Sequence, residues 1–260
     1  MIYLGTSGYH FLDWAGSFYP PDLPKEQWLQ YYARHFSVLE VNTTYYGLPK
    51  LETVAGWAQR TPDNFQFIVK VHKETTHERK NEARDLANLL ELLEPLRAAG
   101  KLSGLLAQFP ASFHATAQNE YYLYKLTEHS HEIPVFVEFR HAGWDTDRAV
   151  ELVKEMKLGW VAVDLPRIRS LPNARPAVTS DRGYVRLHGR NSETWYNPKA
   201  GDRYAWDYSE RELREWVPRI QALESRAELS YLFFNNCHMG WAVKNALLMK
   251  DILQRQFEVA

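Results

Sequence analysis

Short apolar runs alternate with longer amphipathic stretches along nearly the whole chain. Each run is rich in Val, Leu, Phe and Tyr and is bounded by Gly, Pro or polar residues, a pattern typical of buried strands. On this basis eight strands are predicted, at residues 2–7, 38–46, 65–72, 103–110, 134–140, 159–166, 184–189 and 229–236. Because the runs are apolar rather than evenly alternating, the pattern favours a sheet covered on both faces.

The amphipathic stretches between these strands have the apolar spacing of helices. Ser209 and Glu212 form a capping-box pattern at the start of one stretch, and Pro95 is expected to kink another. Helices are therefore predicted at residues 24–36, 50–60, 81–100, 118–129, 146–159, 209–225 and 240–257.

Two segments interrupt this alternation. Residues 166–183, between the sixth and seventh strands, contain three prolines and no helical period, so a long loop is expected there. Residues 190–208 are polar and aromatic, which suits a lid or a binding loop.

Eight strands that alternate with helices over 260 residues predict an α/β protein with a closed parallel barrel of the TIM type. We expect a single domain over residues 1–260, somewhat irregular, with the helix after the sixth strand replaced by a loop. The alternative is an open doubly wound sheet. The segment "GTSGYHF" after the first strand argues against it, because it has no GxGxxG pattern and no immediate helix.

The predicted strands begin apolar and finish polar, and the barrel fold places enzyme chemistry at the carboxyl ends of its strands. In "VFVEFR", side-chain alternation puts Val135, Val137 and Phe139 on one face and Glu138 and Arg140 on the other. The same alternation separates Lys70 and His72, and Arg186, His188 and Arg190, from their apolar neighbours. We therefore expect the charged faces to line a hydrated barrel mouth, although buried ion pairs without a catalytic role would give the same pattern.

Four of these strand-end residues are predicted to carry chemistry: Glu40, Glu138, Asp164 and His188. In one interpretation Glu138 and Asp164, on adjacent strands, form an acid/base pair, with His188 as proton shuttle. In the other, the four residues hold a single divalent metal through oxygen and imidazole ligands. The reaction class stays open among hydrolase, lyase and isomerase, and the cofactor stays unknown.

A second group is predicted to bind the ligand. Arginine suits bidentate recognition of phosphate or carboxylate, and aromatic rings stack on sugars or bases. An anionic, ring-containing ligand is therefore expected, although each arginine could instead neutralise a neighbouring carboxylate. The predicted binding residues are Lys70, Arg140, Arg186, Arg190, Asn42, His72, Gln108, Trp144 and Asn235.

Several segments, in the same order along the chain, resemble those of the YecE-like proteins, a family catalogued as a domain of unknown function. They include "GTSGYHFLDWAGSFYP", "LEVNTTYYGLP", "VEFRHAGW" and "YVRLHGR". The resemblance covers nearly the whole chain and implies a TIM barrel without naming a reaction. The family's similarity to endonuclease-IV-like barrels implies nucleic-acid or phosphate chemistry at the level of fold. This chain departs from a multinuclear zinc nuclease, because only His72 and His188 occupy inward strand-end positions.

Three functions remain open at this point: an enzyme acting on a phosphate-bearing ring compound, a nucleic-acid-binding or processing protein, and a non-catalytic small-molecule sensor. The net charge of −1 ranks nucleic acid below the small molecule as a partner. The single cysteine, the absence of a signal-peptide pattern and the lack of a long apolar run predict a cytoplasmic protein without a membrane partner.

Overall fold

The computed structural model describes residues 1–130, 132–197 and 202–257. Eight parallel strands form one sheet in the order β1-β8-β7-β6-β5-β4-β3-β2. The strands are β1 Ile2–Thr6, β2 Val38–Val41, β3 Gln66–Lys70, β4 Leu102–Gln108, β5 Val135–Glu138, β6 Gly159–Asp164, β7 Arg182–Leu187 and β8 Leu229–Phe234. The predicted barrel of the TIM type, with all eight strands, is confirmed.

The barrel closes between β1 and β2 through a short contact instead of a full ladder. A parallel bridge joins Ser7 to Glu40, at the carboxyl ends of the two strands. Below it, the phenol of Tyr32 fills the missing ladder: its oxygen accepts from the backbone N–H of Thr6 at 2.9 Å and donates to the carbonyl of Val38 at 3.1 Å. Since buried backbone groups must be paired, this one side chain satisfies one backbone group on each of the two strand edges.

Helices follow most strands and cover the outside of the barrel. They are α1 Trp28–Tyr32, α2 Leu51–Gln59, α3 Glu82–Leu92, α4 Glu94–Ala98, α5 Ala117–Glu128, α6 Asp147–Glu155, α7 Glu210–Arg214, α8 Val217–Glu224 and α9 Trp241–Phe257. The predicted kink at Pro95 appears as the break between α3 and α4, and the capping box of Ser209 and Glu212 starts α7. A second predicted helix divides at Pro218, which lies in the first turn of α8.

Two apolar cores lie on the two faces of the strands. Val137, Val69 and Leu187 belong to the large outer core, between strands and helices. Ile68, Phe136 and Tyr231 belong to a smaller core inside the barrel. The predicted alternation is confirmed in β3, β5 and β7, because their apolar odd-numbered residues face outward and leave the inner face to Lys70, Glu138 and Arg186.

The two predicted loops are confirmed where they are described. No α-helix lies between the end of β6 at Asp164 and the start of β7 at Arg182. Residues 190–197 and 202–208 contain no α-helix or strand, and residues 198–201 lie outside the described part. Within the described ranges, none of the helices is long and apolar enough to cross a membrane.

Candidate functional site

A buried ion network occupies the inside of the barrel just below its mouth. Arg186, on β7, lies between two carboxylates: its Nη2 contacts Glu40 Oε1 at 2.6 Å, and its Nη1 contacts Glu138 Oε2. The second oxygen of Glu40 accepts from the hydroxyl of Tyr184 at 2.6 Å. The exposed fraction of the three charged side chains is 1 % or less, so the guanidinium neutralises charges that water does not reach.

Residues after β5, β7 and β8 extend this network towards the mouth. Arg140 Nε contacts Glu138 Oε1, and His188 Nε2 lies 3.2 Å from the same oxygen. The amide of Asn235 contacts His188 Nδ1 at 2.9 Å. If the amide nitrogen donates there, His188 carries its proton on Nε2 and donates it to Glu138. The arrangement fixes the neutral imidazole in one orientation.

The network separates the protonation states of its members. Burial raises the pKa of Glu138, but Arg140 and Arg186 outweigh burial and hold that pKa well below its ordinary value. Burial and the nearby Arg140 lower the pKa of His188 to about 3. At neutral pH the cluster therefore contains an ionised carboxylate and a neutral imidazole side by side.

Lys70 ends β3 at the edge of the network and reaches the open mouth. Its Nζ donates to Gln108 Oε1 at 2.9 Å and lies 4.3 Å from the ring centroid of Tyr45. Burial, followed by repulsion from Arg186, lowers the pKa of the amine to about 7. Lys70 is thus the member of the cluster whose charge changes close to physiological pH.

Above these groups lies a pocket of about 400 Å³, which we call the mouth pocket. Lys70, Gln108 and Arg140 form its polar side, and Arg203 adds a further cation. Its remaining wall is largely aromatic, from Tyr45, Tyr46, His77, Trp195, Tyr196 and Tyr204. The loop predicted as a lid or binding segment therefore supplies part of this wall.

Sequence reasoning missed His77 and Arg203 as lining residues. His77 belongs to a π-helical turn, Glu74–Glu78, directly after β3. Such turns are rare and occur frequently at functional sites, but their hydrogen bonding is invisible in a hydrophobic pattern. Arg203 comes from a loop whose path depends on tertiary contacts, so no local signal singled it out.

A second, more apolar cavity of about 480 Å³ adjoins the mouth pocket, and we call it the side groove. Tyr46 and Tyr204 line both spaces. Asn42 and Asn235, both predicted to bind the ligand, line the side groove, and the buried Oδ1 of Asn42 has no partner in the described part of the chain. The side groove therefore combines apolar rings with two amide side chains in its lining.

The structure does not bring Asp164 and Arg190 into this cluster, which corrects the prediction that they face the mouth with Glu138. Val163 and Leu165 belong to the inner core, so the intervening Asp164 faces outward. There it accepts from Arg190 Nη2 at 2.9 Å and from the indole of Trp216 at 2.7 Å. The predicted pairing of Glu138 with Asp164 as acid and base is therefore not assembled.

Arg190 leaves the inner face because Gly189 interrupts the strand. Gly189 has a φ of 96°, a left-handed conformation that ends the alternation of β7 after His188. A Cβ at this position would come within 2.6 Å of the Cβ of Trp206. Arg190 consequently points towards Asp164 and Glu215, on the side of the helices.

Two further predicted ligand-binding residues also lie apart from the cluster. His72 Nδ1 is 3.6 Å from Glu74, at the start of the π-helical turn. Trp144 is buried in an aromatic stack, with ring centroids 4.3 Å from Phe139 and 5.6 Å from Phe113. Its indole donates to the carbonyl of Phe113 at 2.7 Å, and the whole side chain is buried, so it is not available to a ligand in the mouth.

The chain matches the model of DUF72, a protein family of unknown function, over residues 3–260. It belongs to the DUF72 family. The UPF0759 protein YunF of Bacillus subtilis is 30% identical over 99% of this chain and 96% of its own length. The UPF0759 protein YecE of Escherichia coli K12 is 37% identical over 87 residues, 33% of this chain and 31% of the relative. The resemblance to YecE-like proteins is thereby confirmed.

Solved structures of DUF72 proteins share the whole fold. The crystal structure of a DUF72 family protein from Thermotoga maritima is 38% identical, with a TM-score of 0.90 over 98% of this chain and 99% of the other. A DUF72 family protein from Enterococcus faecalis is 29% identical, with a TM-score of 0.87 over 98% and 96% of the two chains. These neighbours define the fold and give no substrate.

The inner network of this DUF72 protein does not fit the divalent metal considered from the sequence. All four carboxylate oxygens of Glu40 and Glu138 already contact protein donors, from Arg186, Arg140, Tyr184 and His188. The guanidinium of Arg186 lies where a shared ion would have to sit, and Asp164 faces the other way. In the described ranges, no three side chains of His, Cys, Asp or Glu lie together as metal ligands.

Proposed function

We propose that this protein is an enzyme that binds an anionic, ring-containing small molecule in the mouth pocket. The observation that carries the proposal is the convergence of Lys70, Arg140 and Arg203 with an aromatic wall in one cavity of about 400 Å³. Pockets that bind small molecules combine apolar walls with a few placed polar groups, often at this end of a TIM barrel.

The charges favour an anion because the carboxylates of the site are already neutralised. Glu40 and Glu138 lie below the pocket with exposed fractions of 0 % and contact arginines. Arg203 has no carboxylate partner in the described part of the chain, and its guanidinium lies 5.8 Å from the ring centroid of Trp195. A phosphate or carboxylate entering the mouth therefore meets cations first.

The aromatic residues favour a ring in the ligand. Tyr45 and Tyr204 are half-buried residues that line the pocket, and Tyr204 also borders the side groove. A flat ring can stack on these faces while its anionic group reaches Arg140 or Arg203. The side groove then has room for an apolar substituent beside Asn42.

Ligand screening tests this proposal. Thermal shift and calorimetry should compare aryl phosphates, phosphosugars and nucleoside monophosphates with their uncharged counterparts. We expect binding of a ring-containing phosphate that its uncharged counterpart lacks, with little salt dependence beyond one or two contacts. Binding that requires an oligonucleotide and falls steeply with salt would instead indicate a nucleic-acid protein.

Arg203→Gln is the first variant to measure, because Arg203 takes no part in the buried network. Loss of one charge-assisted hydrogen bond should weaken binding about 10- to 100-fold. Arg148→Gln is the matched control, since Arg148 is an exposed arginine paired with Glu120 between α5 and α6. Equal affinity of the two variants for every ligand found would contradict a mouth site.

A further inference from the structure

Two lysines, Lys70 at the end of β3 and Lys101 just before β4, differ in how many oxygen atoms surround their amines. Lys101 Nζ is enclosed by oxygen atoms: it donates to the carbonyls of Ala58 at 2.6 Å and Thr61 at 2.8 Å, and contacts Thr61 Oγ1 at 3.3 Å. Lys70 Nζ contacts one oxygen, that of Gln108, and otherwise faces Tyr45 and the mouth pocket. Lys101 Nζ therefore has three oxygen partners and Lys70 Nζ has one.

The surroundings of Lys70 disfavour its charged form. In the described ranges no carboxylate lies within ion-pair distance of its Nζ, while Arg186 and Arg140 lie close enough to repel it. Burial and Arg186 lower the pKa of Lys70 to about 7. Near neutral pH it therefore holds on the order of a thousand times more free amine than an ordinary lysine with a pKa of about 10.4.

We propose that Lys70 is a nucleophile that forms an imine with an anionic aldehyde or ketone in the mouth pocket. This rests on the proposed function and narrows its substrate class to carbonyl compounds that also carry a phosphate or carboxylate. Desolvated lysines beside other cations are the usual imine-forming nucleophiles of enzymes.

The chemistry balances without an oxidant or a reductant. The Nζ lone pair adds to the carbonyl carbon, and the carbonyl oxygen takes up the proton that leaves the nitrogen, giving a carbinolamine. A proton taken from solvent converts that hydroxyl into a leaving water molecule, and the nitrogen lone pair forms the C=N bond as the C–O bond breaks. The product is a protonated imine and one water molecule, and its positive charge activates the neighbouring carbon for proton loss or bond cleavage.

Two features of the residues around Lys70 support imine formation: cations that can hold the anionic group of the substrate, and a histidine that is neutral. Arg140 and Arg203 line the same pocket and can hold the anionic group of the substrate. His77 also lines it, with Nδ1 2.9 Å from Thr76 Oγ1. Burial and the nearby Lys70 lower the pKa of His77 to about 4, so its imidazole is neutral at physiological pH and adds no further positive charge beside Lys70.

Reductive trapping with two matched probes tests the proposal. Pyridoxal 5′-phosphate is an aromatic phosphate with an aldehyde, and pyridoxine 5′-phosphate carries an alcohol in its place. The full-length protein is incubated with a limiting amount of the aldehyde and cyanoborohydride, and labelled lysines are located by peptide mass spectrometry. We expect Lys70 to be labelled at least tenfold faster than any other lysine at pH 7, and the alcohol to compete.

Two variants provide the controls. Lys70→Arg retains the charge and a donor for Gln108 but cannot form an imine, so it should bind pyridoxine 5′-phosphate and lose the dominant label. Lys50→Arg changes an exposed lysine before α2 and should leave the label at Lys70 unchanged. Glyoxylate serves as a second, smaller anionic aldehyde in the same assay.

The outcomes separate the two proposals. If both aldehydes label Lys70 no faster than exposed lysines while ring-containing phosphates still bind, the imine inference is overturned and the proposed function stands. If no ring-containing phosphate binds and Lys70 stays unlabelled, both are overturned. Selective labelling that disappears in Lys70→Arg supports both.

Discussion

Two arginine–carboxylate clusters lie on opposite faces of the barrel sheet. The inner cluster joins Arg186 to Glu40 and Glu138 inside the barrel. The outer cluster joins Arg190 to Asp164 between the sheet and the helices, where Arg190 remains 20% exposed. Four positions separate the two arginines in sequence, yet one is sealed from water and the other is not.

This difference matters because burial decides what a charged pair contributes. In a sealed site, removing one partner leaves a charge that neither water nor protein compensates. At a partly exposed site, water takes over much of the lost interaction. The inner cluster is therefore a rigid support for the mouth pocket, and the outer cluster mainly ties the end of β7 to the helix layer.

Replacing each arginine should give the largest difference in stability between the inner and the outer cluster. Arg186→Met leaves Glu40 and Glu138 with one buried charge too many, and we expect it to lower the free energy of unfolding by about 3–5 kcal/mol. Arg190→Met should cost about 1–2 kcal/mol, because Asp164 keeps the indole of Trp216 as a donor. Chemical denaturation at neutral pH measures both.

A rescue experiment distinguishes uncompensated charge from lost packing. In the Arg186→Met background, changing Glu40 to Gln removes the one uncompensated charge and should restore part of the stability, because Glu138 keeps Arg140 as its partner. If Arg190→Met costs as much as Arg186→Met, or if the rescue restores nothing, the distinction between a sealed and an open cluster is wrong.

Strand periodicity predicted the barrel and the grouping of Glu40, Glu138 and Arg186 on its inner face, but in a hydrated mouth, whereas the structure seals them from water. An apolar strand that ends in two charges on one face, such as "VFVEFR", has only the barrel interior in which to place them. Asp164 escaped the same reasoning: its neighbours Val163 and Leu165 are apolar as well, so alternation in β6 gave no sign of which face is inner. The register of a fully buried strand is decided by the fold around it.

Other differences between the predicted and the observed site, close to the mouth, have a different cause. Gly189 turns Arg190 away from β7, and the π-helical turn after β3 brings His77 into the pocket. Both features depend on local backbone geometry that period-two reasoning does not represent. Trp144 was misplaced because an aromatic residue after a strand packs on the outer core as readily as it lines a mouth.

The acid sensitivity of the protein should come from the inner cluster. The pKa of His188 is about 3 in the folded protein, below its ordinary value of about 6.5 in an unfolded chain. Between these values the unfolded chain binds more protons, so stability falls as the pH drops through this window. From pH 6.5 to pH 4.5, His188 should account for roughly 2 kcal/mol of lost stability.

His188→Gln tests whether His188 causes this loss of stability, because glutamine can still donate and accept hydrogen bonds but does not titrate. Its free energy of unfolding should be less steep in pH over that window than that of the parent protein. Arg190→Met, in the outer cluster, should keep the parent slope. The lowered pKa of Glu138 adds further acid sensitivity below its ordinary value of 4.5, and His188→Gln should retain that part. Parallel curves for parent and His188→Gln would mean that His188 is not a buried neutral base.

The last comparison is between the two lysines, whose replacement should change the stability with opposite sign. Lys101→Met leaves the carbonyls of Ala58 and Thr61 without their donor and should lower the free energy of unfolding by about 1–3 kcal/mol. Lys70→Met should instead stabilise the protein below pH 7. The pKa of Lys70 is about 7 in the folded protein and about 10.4 in the unfolded chain. Below pH 7 the amine is charged in both states, so the cost of burying its charge is fully present. This cost fades as the pH rises from 7 to about 10.4. Thermal melts at pH 6 and pH 10 measure this, and the gain from Lys70→Met should shrink at the higher pH. A loss of stability at pH 6 would contradict the expectation that burial disfavours the charged amine of Lys70.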